Sequence, residues 1–134
     1  MRKTVITILV MGLFSFLFGC SKQSAFPNDE NGNILNKMVQ QGDDLSKSRD
    51  INYSFVFTSE GKAKAFTNQV QTTTGLKTEL SWYEERKLWD ATVTKNMIPT
   101  HRDITALEQS LTQLAASNGG EADGWGCFVV DKIK

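Results

Sequence analysis

The chain has 134 residues, with 15 Lys+Arg against 15 Asp+Glu and a formal net charge of +0, and 40% of its residues are hydrophobic. That length suits one domain around a single core, and a balanced charge without basic or acidic blocks gives no electrostatic case for nucleic acid or for a polybasic grip on lipid headgroups. Two Cys and one His leave no donor set for zinc, and no cofactor, metal or small-molecule substrate is expected.

Arg2 and Lys3 precede an uncharged, apolar run from Thr4 to Gly19, and Cys20 follows at once. A basic start, an apolar stretch and a small residue before a cleavage point make a secretory signal. With the cysteine next in line, the run resembles a bacterial lipoprotein signal, in which the Cys20 thiol is lipidated and becomes the mature N-terminus, although Phe18 is bulkier than the residue usual there. As a helix the run spans about 24 Å at ~1.5 Å per residue. The hydrocarbon core of a bilayer is about 30 Å thick, so the run is short for a spanning helix and ordinary for a signal. An uncleaved N-terminal anchor is the competing reading. A buried core helix is disfavoured, because the run has no polar face. Either membrane reading tethers the chain outside the cytoplasm, and Ser21 after the cysteine indicates the periplasmic side of the outer membrane if the host is Gram-negative. Removing residues 1–19 takes Arg2 and Lys3 away and moves the formal net charge from +0 to −2. Cys127 is then the one remaining thiol, read as a small buried hydrophobe in a strand, with a reactive or intermolecular thiol as the alternative.

The expected organisation is a signal over 1–19, a flexible tether over 20–32 containing Pro27 and Gly32, and a domain over 33–134. Ile34, Leu35, Met38 and Val39 recur at helical spacing, with Gly42 as a stop. From Ile51, alternation puts Ile51, Tyr53, Phe55 and Phe57 on one strand face. Thr58 or Ser59 can cap a helix over roughly 60–73, with Ala63, Phe66 and Val70 as its buried stripe and Gly75 ending it. A second strand, Leu76 to Tyr83, places Leu76, Leu80 and Trp82 on one side. Glu84-Glu85-Arg86-Lys87 is a charged hairpin tip. A third strand runs from Leu88 to about Met97 with Trp89, Ala91 and Val93 on one face, and Pro99 ends it. Thr100 and Asp103 resemble a shortened capping box for a helix carrying Ile104, Leu107, Leu111 and Leu114. Gly119-Gly120 stops that helix, and a last strand is expected over Trp125–Val130.

The order α-β-α-β-β-α-β, with right-handed crossovers and a central hairpin, predicts an α+β fold. It is a ferredoxin-like βαββαβ sandwich, a four-stranded antiparallel sheet with two packed helices, plus an extra N-terminal helix. Both packed helices lie on one sheet face, leaving the other for solvent, the extra helix or a partner.

Asp123-Gly124-Trp125-Gly126, after the Gly119-Gly120 stop, resembles the signature of the regulator of ribonuclease E activity B (RraB) family. The runs Met97-Ile98-Pro99-Thr100-His101 and Arg49-Asp50-Ile51-Asn52-Tyr53-Ser54-Phe55 are similar to that family as well, and the likeness covers roughly 33–131. The resemblance implies a ferredoxin-like fold without catalytic chemistry, in a family whose members inhibit ribonuclease E by binding its scaffold regions. Two departures separate the chain from that role: ribonuclease E is cytoplasmic, and the family's cytoplasmic members carry long acidic tails where this sequence has Lys132-Ile133-Lys134. The fold and the protein-binding character carry over from the resemblance, and the target does not.

In the signature, Gly124 and Gly126 flank Trp125, so the backbone can approach closely or take positive φ, and Asp123 can bond nearby backbone N–H groups as a turn former. The motif can simply shape the start of the strand and plug Trp125 into the core, or it can present Trp125 to a partner. Tyr53, Trp82, Trp89 and Trp125 are the candidate anchors for a protein partner. His101 is the single imidazole, and an unrecognised catalytic site would need it to converge with Asp103 and Asp123. Adjacent Glu84 and Glu85 point to opposite faces and make no acid/base pair. RNA-recognition domains share the topology and stack bases on sheet aromatics, but Leu88-Trp89-Asp90-Ala91-Thr92-Val93 lacks their basic-Gly-aromatic pattern. The leading expectation is therefore a lipid-anchored, non-catalytic protein-binding module. A cytoplasmic ribonuclease E regulator and an enzyme around His101 are the alternatives.

Overall fold

A computed structural model describes residues 25–132. The expected signal, Cys20 and Ser21 lie outside the described residues. Helix α1 (Glu30–Gln40) starts inside the stretch read as a tether. Asp29 is the reason: its carboxylate accepts the Gly32 N–H at 2.8 Å and caps the helix. Strand β1 (Arg49–Phe57) follows, and Ile51, Tyr53, Phe55 and Phe57 are all buried, as its alternation requires. Helix α2 (Glu60–Thr74) is capped by Ser59, whose hydroxyl accepts the Lys62 N–H at 3.2 Å, and it ends at Gly75. Strands β2 (Lys77–Tyr83) and β3 (Leu88–Met97) form the hairpin, pairing Trp82 with Trp89.

Helix α3 (His101–Ser117) begins with the Thr100 hydroxyl accepting the Asp103 N–H at 3.1 Å. The reciprocal half of a capping box does not form. The Thr100 N–H goes to the Ile98 carbonyl at 2.9 Å, and the Asp103 carboxylate takes the Arg102 Nε at 3.3 Å. Aspartate is one methylene shorter than the glutamate that normally closes such a box.

Strand β4 (Glu121–Gly126) corrects the expected last strand over 125–130. The chain enters the sheet directly after the helix stop and leaves it at Gly126, which faces Asn52. Beyond that point Arg49 redirects the backbone. Its guanidinium donates to the carbonyls of Asp44 (2.7 Å), Lys47 (3.2 Å) and Phe128 (3.2 Å) and to both oxygens of Asp43 at 2.8 Å. The tail therefore lies on the 43–48 loop, with the Asp44 N–H on the Val130 carbonyl at 2.7 Å and Asp43 bridged to Asp131. The apolar run Cys127–Val130 looked like a strand, but this side-chain hub takes its place in the ladder.

The sheet order is β2-β3-β1-β4, with every neighbouring pair antiparallel. This is the ferredoxin-like sandwich. Helices α2 and α3 cover one face around Phe55, Phe57 and Phe66, whose rings pack at centroid distances of 5.1 and 5.3 Å. The sheet has two distinct ends. At the tip lies the turn between β2 and β3. At the base, β1 begins while β3 and β4 finish. Helix α1 lies across the base, with Leu35 and Met38 against Ile104, Met97, Trp125 and Cys127. It leaves the second sheet face uncovered, where Asn52 accepts from Thr94 at 2.8 Å and Asp50 from Asn96 at 2.9 Å.

Candidate functional site

The Asp-Gly-Trp-Gly signature lies within β4. Tyr53 faces Trp125 and Phe55 faces Ala122, so Asp123 and Gly124 together oppose Ser54. That is a β-bulge, and Gly124 occupies it at φ 98°, a conformation that suits glycine. The extra residue puts Trp125 on the helix-covered side. There it packs against both apolar clusters, and its indole Nε1 donates to Asn31 Oδ1 at 2.8 Å. Asn31 in turn donates to Thr105 Oγ1 at 3.1 Å and Glu108 Oε1 at 2.9 Å. Trp125 thus ties α1, β4 and α3 together.

Asp123 bonds across the open face rather than to nearby backbone, its carboxylate taking Arg86 at 2.9 Å. Asp90 stands beside this pair in a shallow cleft with Val56 and Tyr83. Burial pushes the Asp90 carboxyl above the usual carboxylate range, the Asp123 charge adds to the rise, and Arg86 opposes it. Asp90 Oδ1 is buried without a hydrogen-bond partner among the described residues. Nothing in the local sequence marks Asp90, because its neighbours come from β4 and the hairpin turn.

Of the four candidate anchors, Tyr53 is corrected to a core residue. Its ring is buried, and its hydroxyl donates to the Ile104 carbonyl at 3.2 Å. Burial pushes that phenol well above its ordinary value, with Glu108 and Asp103 adding to the shift. Trp125 is half-buried in its bolt position. Trp82 and Trp89 pair at the tip with ring centroids 5.3 Å apart, and Trp82 and its neighbour Tyr83 are each more than two-fifths exposed. Glu84 accepts from both the Trp82 indole and Lys87, and these bonds, Lys87 first, hold its carboxyl below the ordinary range.

His101, Asp103 and Asp123 do not converge. His101 Nε2 pairs with the Asp29 carboxylate at 2.9 and 3.0 Å at the base, Asp103 serves Thr100 and Arg102, and Asp123 serves Arg86. The Gly32 N–H, then His101, hold Asp29 below its ordinary value. Cys127 is half-buried, and desolvation pushes its thiol up against a smaller opposing pull from Arg49. Among the described residues no group of His, Cys, Asp and Glu is arranged to hold a metal, and no helix is long and apolar enough to cross a membrane.

What the domain offers is an aromatic tip, a polar open face and a bolted signature strand. A sequence comparison with curated proteins gave no match. A family model described as Regulator of ribonuclease activity B (RraB) matches residues 28–127, from the cap of α1 through the signature strand. With well over half of the sequence matched and the signature strand built into the sheet, the chain belongs to the RraB family.

Proposed function

We propose that this chain is a regulatory, protein-binding module held at a bacterial membrane through a lipid on Cys20, and that it meets its partner at the aromatic tip of the β2–β3 hairpin. The RraB match supports a regulatory binding role. The observation that carries the tip is the Trp82–Trp89 pair, its rings in tilted contact, with Tyr83 beside it, at the end of the sheet opposite α1. Tryptophan and tyrosine supply large contact area with few rotors and are enriched among the residues that dominate binding energy. The N-terminal run before Cys20 supports the tether.

The test is recovery of a stoichiometric protein from detergent-solubilised membranes, using the natural chain and Trp82→Ala in parallel. Loss of a central tryptophan costs about 2 kcal/mol or more, a roughly 30-fold drop in affinity. Recovery with the natural chain and its loss with Trp82→Ala is expected. Repeated failure to recover any partner, or equal recovery by both, counts against the proposal.

The family match also favours a second reading, direct regulation of ribonuclease E. That activity needs the domain inside the cell. Inhibition of purified ribonuclease E by unlipidated chain isolated from the cytosol would select it.

A further inference from the structure

Six large apolar side chains stand out as exposed among the described residues, and they divide between the two ends of the sheet. Trp82 and Tyr83 belong to the tip. The other four start from the base, where Phe128 also lines a cleft on the open sheet face with Asp50, Asn52 and Lys77. Ile98 directly follows Met97, the β3 residue that pairs with the first residue of β1. Phe128, 84% exposed, and Val129, 50% exposed, follow the end of β4, where Arg49 holds the Phe128 carbonyl. Val39 lies on α1, which crosses the base from the Asp29–His101 pair to the Asp43–Arg49 pair. Soluble surfaces scatter single apolar residues, and a group at one end of a small domain marks a contact.

The position of the N-terminal chain identifies the occupant. It reaches the fold at Asp29, against His101, which follows Ile98 by three residues at this same base. Eight residues lie between Cys20 and Asp29, so the two are at most about 32 Å apart when the chain is fully extended. A lipid on Cys20 therefore keeps the base near the bilayer. Charge there is mixed: Lys47, Lys95 and Arg102 are interspersed with Asp44, Asp50 and Asp103. Any hold would come from apolar insertion rather than from attraction to anionic headgroups.

We infer that Ile98, Phe128, Val129 and Val39 form an apolar rim that rests in the headgroup region of the anchoring membrane and turns the aromatic tip outward. This rests on the lipid-anchor reading above. It adds to that reading an orientation of the domain, which a lipid on Cys20 would not set by itself.

The test uses the full lipidated chain in vesicles of phosphatidylethanolamine and phosphatidylglycerol, with a photoreactive benzoylphenylalanine at position 128 or, as the far-end control, at position 82. Intact mass first establishes the acyl chains on Cys20, so a missing anchor is distinguished from a missing rim. Irradiation of the anchored protein should give lipid adducts at position 128 at least tenfold above those at position 82. Equal, low lipid labelling at both positions of an anchored chain overturns the rim. So does labelling of a second protein copy at position 128 in place of lipid. Hydrogen exchange gives a second readout without substitution: the segment 127–131 should exchange at least fivefold more slowly on vesicles than in detergent, and unchanged exchange contradicts the inference.

Discussion

The indole of Trp125 and the side-chain carbonyl of Asn31 meet at 2.8 Å, joining the signature strand to a helix that comes more than ninety residues earlier in the chain. Asn31 is buried, and its amide also serves Thr105 and Glu108. Removing it leaves a partly buried indole N–H without a partner, at about 1–3 kcal/mol. Asn31→Ala should lower the urea midpoint accordingly. In a double-mutant cycle with Trp125→Phe, the two losses should fall short of adding, because the second change removes the orphaned donor. Strict additivity would show that the bond contributes nothing to the docking of α1.

Arg49 and Asp43 form a buried pair, with side chains 5% and 0% exposed. Breaking such a pair by removing one partner costs about 3–5 kcal/mol, because the remaining charge stays buried and unmatched. Asp43→Ala is expected to unfold at markedly lower urea. Arg49→Lys should also destabilise, since one ammonium cannot reach the carbonyls of Asp44, Lys47 and Phe128 together with the carboxylate. A loss below about 1 kcal/mol in both variants contradicts the hub role.

Two glycines of the C-terminal third should resist substitution for different reasons. A Cβ on Gly120 would sit 2.3 Å from the Phe57 ring, so Gly120→Ala overpacks the core at about 1–3 kcal/mol. A Cβ on Gly124 meets nothing within 4 Å, yet its φ of 98° strains any other residue by about 1–2 kcal/mol. Shrinking the ring with Phe57→Leu should therefore relieve the first substitution and leave the second untouched. Equal coupling of Phe57→Leu to both in denaturation cycles would be inconsistent with this distinction.

Two aspartates should bend the pH–stability curve in opposite directions. The carboxyl of Asp29 is held below 3.8 by Gly32 and then His101, so its contribution is present above 3.8 and fades as pH falls through the lowered native value. The advantage of the natural chain over Asp29→Asn should therefore shrink on acidification in that range. Asp90 is raised above 3.8 by burial and by Asp123, so its ionised form weakens the native state, fully so above the raised value. Asp90→Asn should gain stability relative to the natural chain at pH 7 and lose that gain towards pH 3. Parallel curves for all three proteins would contradict both assignments.

The sequence made most of the scaffold legible. Local signals placed it: alternation through Ile51, Tyr53, Phe55 and Phe57, the Ser59 and Thr100 caps, and the Gly75 and Gly119-Gly120 stops. Long-range chemistry was not legible. The last strand was misplaced because Cys127–Val130 has an apolar strand composition, while the residue that diverts it, Arg49, lies some eighty positions away. The early start of α1 depended on an Asp29 cap inside a polar stretch that resembles a linker. Tyr53 qualified as an anchor by type, and its burial followed from a strand face that was itself readable. The pairing of His101 with Asp29 and the orphaned oxygen of Asp90 arise from partners distant in the chain, which no periodicity records.

The central claim is a binding module moored by its own modified cysteine, and the mature N-terminus decides it. Intact-mass and peptide mass spectrometry of the natural protein from fractionated cells should find the chain in the membrane fraction, beginning at Cys20 and carrying acyl chains. A chain that begins at Met1 with an unmodified Cys20 thiol, recovered from the cytosol, would contradict the account.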